Sequence, residues 1–197
     1  MLAGQPVVPN QFSLKEGQTA LIITGPNTGG KTVALKSIGL LMMMLQAGLQ
    51  IPASAKSRLP LISCFFTDIG DEQSLADNHS TFSGHIANLV NIMSSLTPGA
   101  AVMLDELVVG TDPGQGAALA RAIVEHFVDR GSWVFVTTHY ESLKNLASSD
   151  ARIRNAAMGI DPSSSKPTYK LTLDLPGTSS ALVTAERLGL ELSLIHI

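Results

Sequence analysis

Apolar and polar positions alternate along the chain in a strand-then-helix rhythm. The run Thr19-Ala20-Leu21-Ile22-Ile23-Thr24 is short, apolar and stopped by Gly25-Pro26, which predicts a buried strand. Lys31 to Gln46 is free of proline and rich in Leu and Met, which predicts a helix. Leu61 to Phe66 predicts a second strand. Thr81 to Leu96 carries Phe82, Ile86, Leu89, Val90 and Met93 at helical spacing until Pro98-Gly99 ends it. Ala101 to Leu104 is a third apolar strand, Gly116 to Val128 a helix closed by Gly131, and Trp133 to Val136 a fourth strand. Arg152 to Ile160 and Thr168 to Leu173 flank Ser163-Ser164-Ser165 as a hairpin. Ser179 to Leu188 is expected to close as a helix with Gly189 as its C-cap. Strands alternating with helices of this length imply an α/β fold, a mostly parallel sheet flanked by helices, with a C-terminal β-hairpin.

Composition adds bounds rather than identity. The 197 residues suit one domain and are 45% hydrophobic and 15% charged, ample for a core. The net charge of −3 gives no whole-chain electrostatic footprint for nucleic acid. A single cysteine, Cys64, excludes an intrachain disulfide and is expected to be a buried thiol. The apolar stretch from Ile38 to Leu49 is too short to span a bilayer and is expected to be a buried core helix. With no signal-peptide pattern and no membrane partner indicated, the cytoplasm is the expected compartment.

Chemistry enters with Gly25-Pro26-Asn27-Thr28-Gly29-Gly30-Lys31-Thr32, which fits G-x-x-x-x-G-K-[ST] between a strand and a helix. Glycines let backbone N–H groups and a helix N-terminus close around phosphate, Lys31 can reach the β- and γ-phosphates, and the Thr32 hydroxyl can ligate Mg²⁺. The bland alternative, a glycine-rich turn, leaves both flanks unexplained. Four apolar residues then place Asp105 at a strand's carboxyl end, where it can hold Mg²⁺ through a coordinated water; Glu106 is suited to orient or deprotonate an attacking water. The two carboxylates are expected to converge on the loop from the neighbouring strand. Taken without the upstream loop, they would equally suit a solvated strand end. His139 follows the fourth strand and can point into the same crevice, although a lone histidine there is more often structural. The other histidines, His79, His85, His126 and His196, show no zinc spacing. Ser80 or Thr81 is expected as the N-cap of the second helix, whose N-terminus is also an anion site.

Taken together, GPNTGGKT, DIGDEQSL, STFSGH, LDEL, GTDP and TTHYESLK resemble, in order, the ATPase domain of the MutS family. The Val33 that follows Lys31-Thr32, the run from Asp68 to Ser74, and Gly110 to Gly116 resemble the MutS-two branch in particular. The resemblance covers roughly residues 10 to 190 and implies a P-loop NTPase fold of the ABC type that binds ATP and Mg²⁺. It implies a Q-loop role near the metal for Gln73, and a signature role for Ser80, which reaches the γ-phosphate held by a second copy. It places Asp112 in a loop crossing that homodimer interface and gives His139 the switch role. Branched or mismatched DNA, or a ribosome and its rRNA, are the implied partners, reached through regions outside this chain. Residues 1–190 are expected to form the ATPase domain; residues 191–197 do not match the family's pattern and are expected to be foreign or truncated. The chain is expected to be a fragment without nuclease activity. Val108-Val109 departs from the family, which has small residues there, and should change backbone freedom in that loop. The alternative to an ATP hydrolase is a nucleotide-gated dimerisation module with little turnover of its own. A small-molecule kinase fits less well, for want of an arginine-rich lid.

Overall fold

The computed structural model describes residues 7–70, 78–161, 163–164 and 166–175. A six-stranded sheet has the order β2-β3-β4-β1-β5-β6. Its strands are β1 (Ala20–Thr24), β2 (Phe65–Asp68), β3 (Ala101–Leu104), β4 (Trp133–Thr137), β5 (Ile153–Ile160) and β6 (Pro167–Leu173). The first five run parallel, and β6 returns antiparallel to β5 as the expected hairpin. The helices are α1 (Lys31–Gln46), α2 (Asn78–Ser95), α3 (Pro113–Asp129) and α4 (Glu141–Ser149).

Strand period two sorts the side chains onto two faces. Ala20, Ile22, Val102, Leu104, Val134 and Val136 pack with residues of α2, α3 and α4, among them Leu89, Val124, Phe127 and Leu143. Leu21, Ile23, Met103 and Phe135 pack on the opposite face with Ala34, Leu35, Ile38 and Met42 of α1. The chain leaving β1 thus passes to one face, whereas the chains leaving β3 and β4 pass to the other. That divergence opens a crevice at the carboxyl ends of β1, β4 and β3, the place where open α/β sheets hold ligands.

Several expectations need correction. Phe65 pairs with Ala101, the first residue of β3, so residues 61–64 precede the ladder; the second strand begins at Phe65, and Leu61 is 86% exposed. Cys64 is only half-buried, with Thr97 Oγ1 3.5 Å from its sulfur. The apolar stretch in α1 is core on one side alone, since Leu40, Met43 and Leu45 are exposed. α2 includes Asn78, which puts Ser80 and Thr81 inside its first turn rather than at its cap. α3 starts three residues earlier than expected because Asp112 caps it and Pro113 follows at the first helical position. Helix α4 was not foreseen: its Leu143 and Leu146 are core, but it is short and largely polar. The expected Ser179–Leu188 helix, Gly189 and the 191–197 tail lie outside the described residues.

Candidate functional site

At the end of β1 the backbone turns through Gly25 (φ 128°) and a short 3₁₀ helix, Asn27–Gly29, into Gly30 (φ 88°), from which α1 starts. Left-handed backbone at both ends of the loop is the conformation glycine tolerates. A Cβ on Gly25 would lie 3.1 Å from both Cβ and the carbonyl oxygen of Met158, so the loop is fitted to β5 as well. No side chain caps α1, and its first turn holds no acidic residue. The N–H groups at the start of such a helix are the donors that a phosphate site uses. Thr32, the second residue of α1, is half-buried, Pro26 precedes the 3₁₀ helix, and Thr28 is exposed on it.

Lys31 is 1% exposed, an expensive position for a cation unless it is partnered. Its Nζ donates to the Gly25 carbonyl at 3.0 Å and lies 3.1 Å from Glu106 Oε1. The other Glu106 oxygen, Oε2, faces His139 Nδ1 at 3.2 Å. The His139 hydrogen bond, then the Lys31 ammonium, hold the Glu106 carboxyl below its ordinary value against the opposing effect of burial. Asp105 is buried and accepts from the Thr137 hydroxyl, which also accepts from the Glu106 N–H at 2.8 Å.

Lys31, Asp105, Glu106 and His139 thus meet at one edge of the sheet. The route differs from the expected one. β4 lies between β1 and β3, so the carboxylates arrive from the next strand but one, and Thr137 with His139 fills the interval. Asp112 stands apart, exposed, its carboxylate accepting from Gln115 N at 3.0 Å as the cap of α3. Ser80 is placed by backbone alone, in the first turn of α2. Gln73 and the side chains of Asn27 and Ser80 lie outside what the structure describes.

A second cluster beside the site was missed in the sequence. Asp68, at the end of β2, is buried and holds His85 Nδ1 at 2.9 Å and Asn88 Nδ2 at 2.8 Å. It thereby ties α2 to the strand beside β3. The one clue in the sequence is that His85 and Asn88 share a helix face. Thr137 and Tyr140 were also missed, since each acts on residues about thirty positions earlier.

Comparison with known proteins agrees with this geometry. The model for MutS domain V matches residues 21–193. Proteins named Endonuclease MutS2 are 44% identical in Brevibacillus brevis over all of this chain and 25% of the relative, and 47% identical in Alkaliphilus oremlandii, again over 100% and 25%. The Thermomicrobium roseum protein of the same name is 49% identical over 96% of this chain and 24% of its own length. The chain therefore spans about a quarter of the length of these curated relatives. A family match over most of the chain, together with such identities, establishes that it belongs to the MutS family, in the MutS2 branch.

Proposed function

We propose that this chain is the ATP-binding and ATP-hydrolysing domain of a MutS2-type protein, an ABC-type P-loop ATPase that works as a homodimer. The observation that carries the reading is the Lys31 ammonium, shared between the Gly25 carbonyl and Glu106 Oε1, which joins the glycine loop and the acidic end of β3 into one site.

Bound Mg-ATP would supply the electrophilic γ-phosphoryl group and its metal. The loop from Gly25 through Pro26, Asn27, Thr28, Gly29 and Gly30 can wrap phosphate with its backbone N–H groups, Pro26 having none and Gly29 N donating to the Pro26 carbonyl, and Lys31 adds a cation. Thr32 and Asp105 are the metal-side oxygens. So few protein ligands suit Mg²⁺, which keeps waters and phosphate oxygens for the rest of its shell. Glu106 orients water and accepts its proton, and His139 fixes the carboxylate's orientation. A phosphate that engages Lys31 weakens the Lys31–Glu106 pair, so the carboxyl rises toward its ordinary value and becomes a better base when needed. Gln73, Ser80 and Asp112 complete the assignment: Gln73 beside the metal, Ser80 reaching the site of a second copy, Asp112 at the interface. We assign DNA (branched or mismatched) or the ribosome as target to other parts of the protein, and no nuclease chemistry to these residues.

The alternative is a nucleotide-gated dimerisation module with little turnover. It is favoured by the engagement of both Glu106 oxygens, an idle arrangement for a base. Glu106→Gln should keep Mg-ATP binding and lose about a hundredfold or more in turnover, the usual scale for removing a general base. Lys31→Ala should lose binding itself. Full turnover in Glu106→Gln, or parental nucleotide affinity in Lys31→Ala, sinks the reading.

A further inference from the structure

The turn after β3 contains two non-glycine residues in left-handed backbone, Glu106 (φ 49°) and Val108 (φ 62°). For a β-branched side chain this is a true outlier, and such strain persists only where surrounding contacts overdetermine it. Val108 is nonetheless 5% exposed, locked into the core beneath α3. The contact that holds it comes from Tyr140, whose hydroxyl donates to the Val108 carbonyl at 2.7 Å in a buried setting.

Neighbouring contacts tie this bond and its tyrosine to the surrounding elements. A Cβ on Gly116 would lie 2.5 Å from it and 3.2 Å from the Val108 carbonyl oxygen, so α3 is seated directly against the bond. Gly116 N donates to the Asp112 carbonyl at 2.8 Å, linking the same point to the loop ahead of α3. On the other side, the Tyr140 and His139 rings lie 4.7 Å apart by centroid, and Tyr140 N donates to Thr138 Oγ1 at 3.0 Å. Burial, and secondarily the Glu106 carboxylate, raise the phenol's pKa, which keeps it a donor at neutral pH.

We propose that Tyr140 is a positioning residue: its hydrogen bond to Val108 holds the strained 106–109 turn that presents Glu106 to Lys31 and His139, and registers α3 and Asp112 to that turn. Since this builds on the ATPase reading, the test must separate the two. Tyr140→Phe keeps the ring and removes the donor. It should lower kcat about tenfold while leaving the KM for Mg-ATP near the parent's, the pattern for a lost buried hydrogen bond felt in the chemical step rather than in binding.

A merely structural tyrosine would lower stability without this split between kcat and KM. Independently of turnover, amide hydrogen exchange at residues 107–109 should quicken in Tyr140→Phe, with β1 and β4 unchanged. If Tyr140→Phe does not fold, Gly116→Ala, whose methyl displaces the hydroxyl, should show the same kcat loss at constant KM. Parental kcat and parental exchange in the phenylalanine variant overturn the proposal. A parent chain that fails to bind Mg-ATP overturns the ATPase reading instead, and the exchange comparison still decides the role of Tyr140 in the turn.

Discussion

Backbone sign is the decisive residue-scale property around this site. Gly25, at φ 128°, occupies a region that side chains rarely adopt, and a methyl group there would crowd Met158 at 3.1 Å. Gly25→Ala should cost about 1–3 kcal/mol, the usual penalty for such strain, and should also distort the loop that offers its N–H groups. Denaturant unfolding reads the first effect and nucleotide titration the second; parental values in both would show that the loop adapts. The glycines of this loop were legible in the sequence because a motif names them. Val108 was legible only as an anomaly. Its positive φ depends on a hydroxyl thirty-two residues away, and no local pattern encodes that. Glu106 also has a pH consequence. Its carboxyl lies below its ordinary value of 4.5 in the fold, so its pairing with His139 and Lys31 stabilises above that pH and is lost as pH falls through the lowered value.

Elements were most legible where a hydrophobic run has one clear end. α1 and β3 have the expected bounds because a glycine loop starts the first and an acidic pair ends the second. β2 was displaced because pairing, not hydrophobicity, sets where a ladder begins, and the regular register starts at Phe65 opposite Ala101, with the Ser63 N–H bond to the Gly99 carbonyl before it. The β5–β6 hairpin was legible, but not what anchors it. Arg154 forks onto both Asp174 oxygens at 2.8 and 2.7 Å and donates to the Ser13 carbonyl at 2.7 Å, and Lys15 lies 3.3 Å from the same carboxylate. Arg154 chiefly, and Lys15 after it, lower the Asp174 carboxyl from 3.8 to about 2. A depressed carboxyl stabilises above its unfolded value and loses that contribution as pH falls through the folded one. The stability difference between parent and Asp174→Asn should therefore hold at neutral pH and close between about pH 4 and 2. Urea midpoints taken across that range test it, and a difference independent of pH would assign the anchor to packing instead.

At the scale of the whole molecule, the crevice displays machinery from several strands, yet Asp112 is exposed and Ser80 belongs to α2 rather than to any of those strands. Apolar side chains also remain uncovered along α1 and the segment after it, with Val33 67%, Leu40 55% and Leu49 57% exposed. No helix among the described residues is long and apolar enough to cross a membrane. If Ser80 and Asp112 complete the site of a second copy, one chain alone holds only part of each catalytic unit. Turnover per chain should then rise with protein concentration until dimers saturate, and Ser80→Ala should be rescued in part by mixing with Glu106→Gln, because one of the two composite sites in such a mixed dimer regains both groups. Mass action demands the first behaviour of any shared site. Measured turnover over about a hundredfold range of concentration, beside sedimentation of the same samples, separates the readings. A rate per chain that is appreciable and flat would mean that each site is complete within one copy, while a negligible flat rate with tight Mg-ATP binding would favour the gated module over the hydrolase.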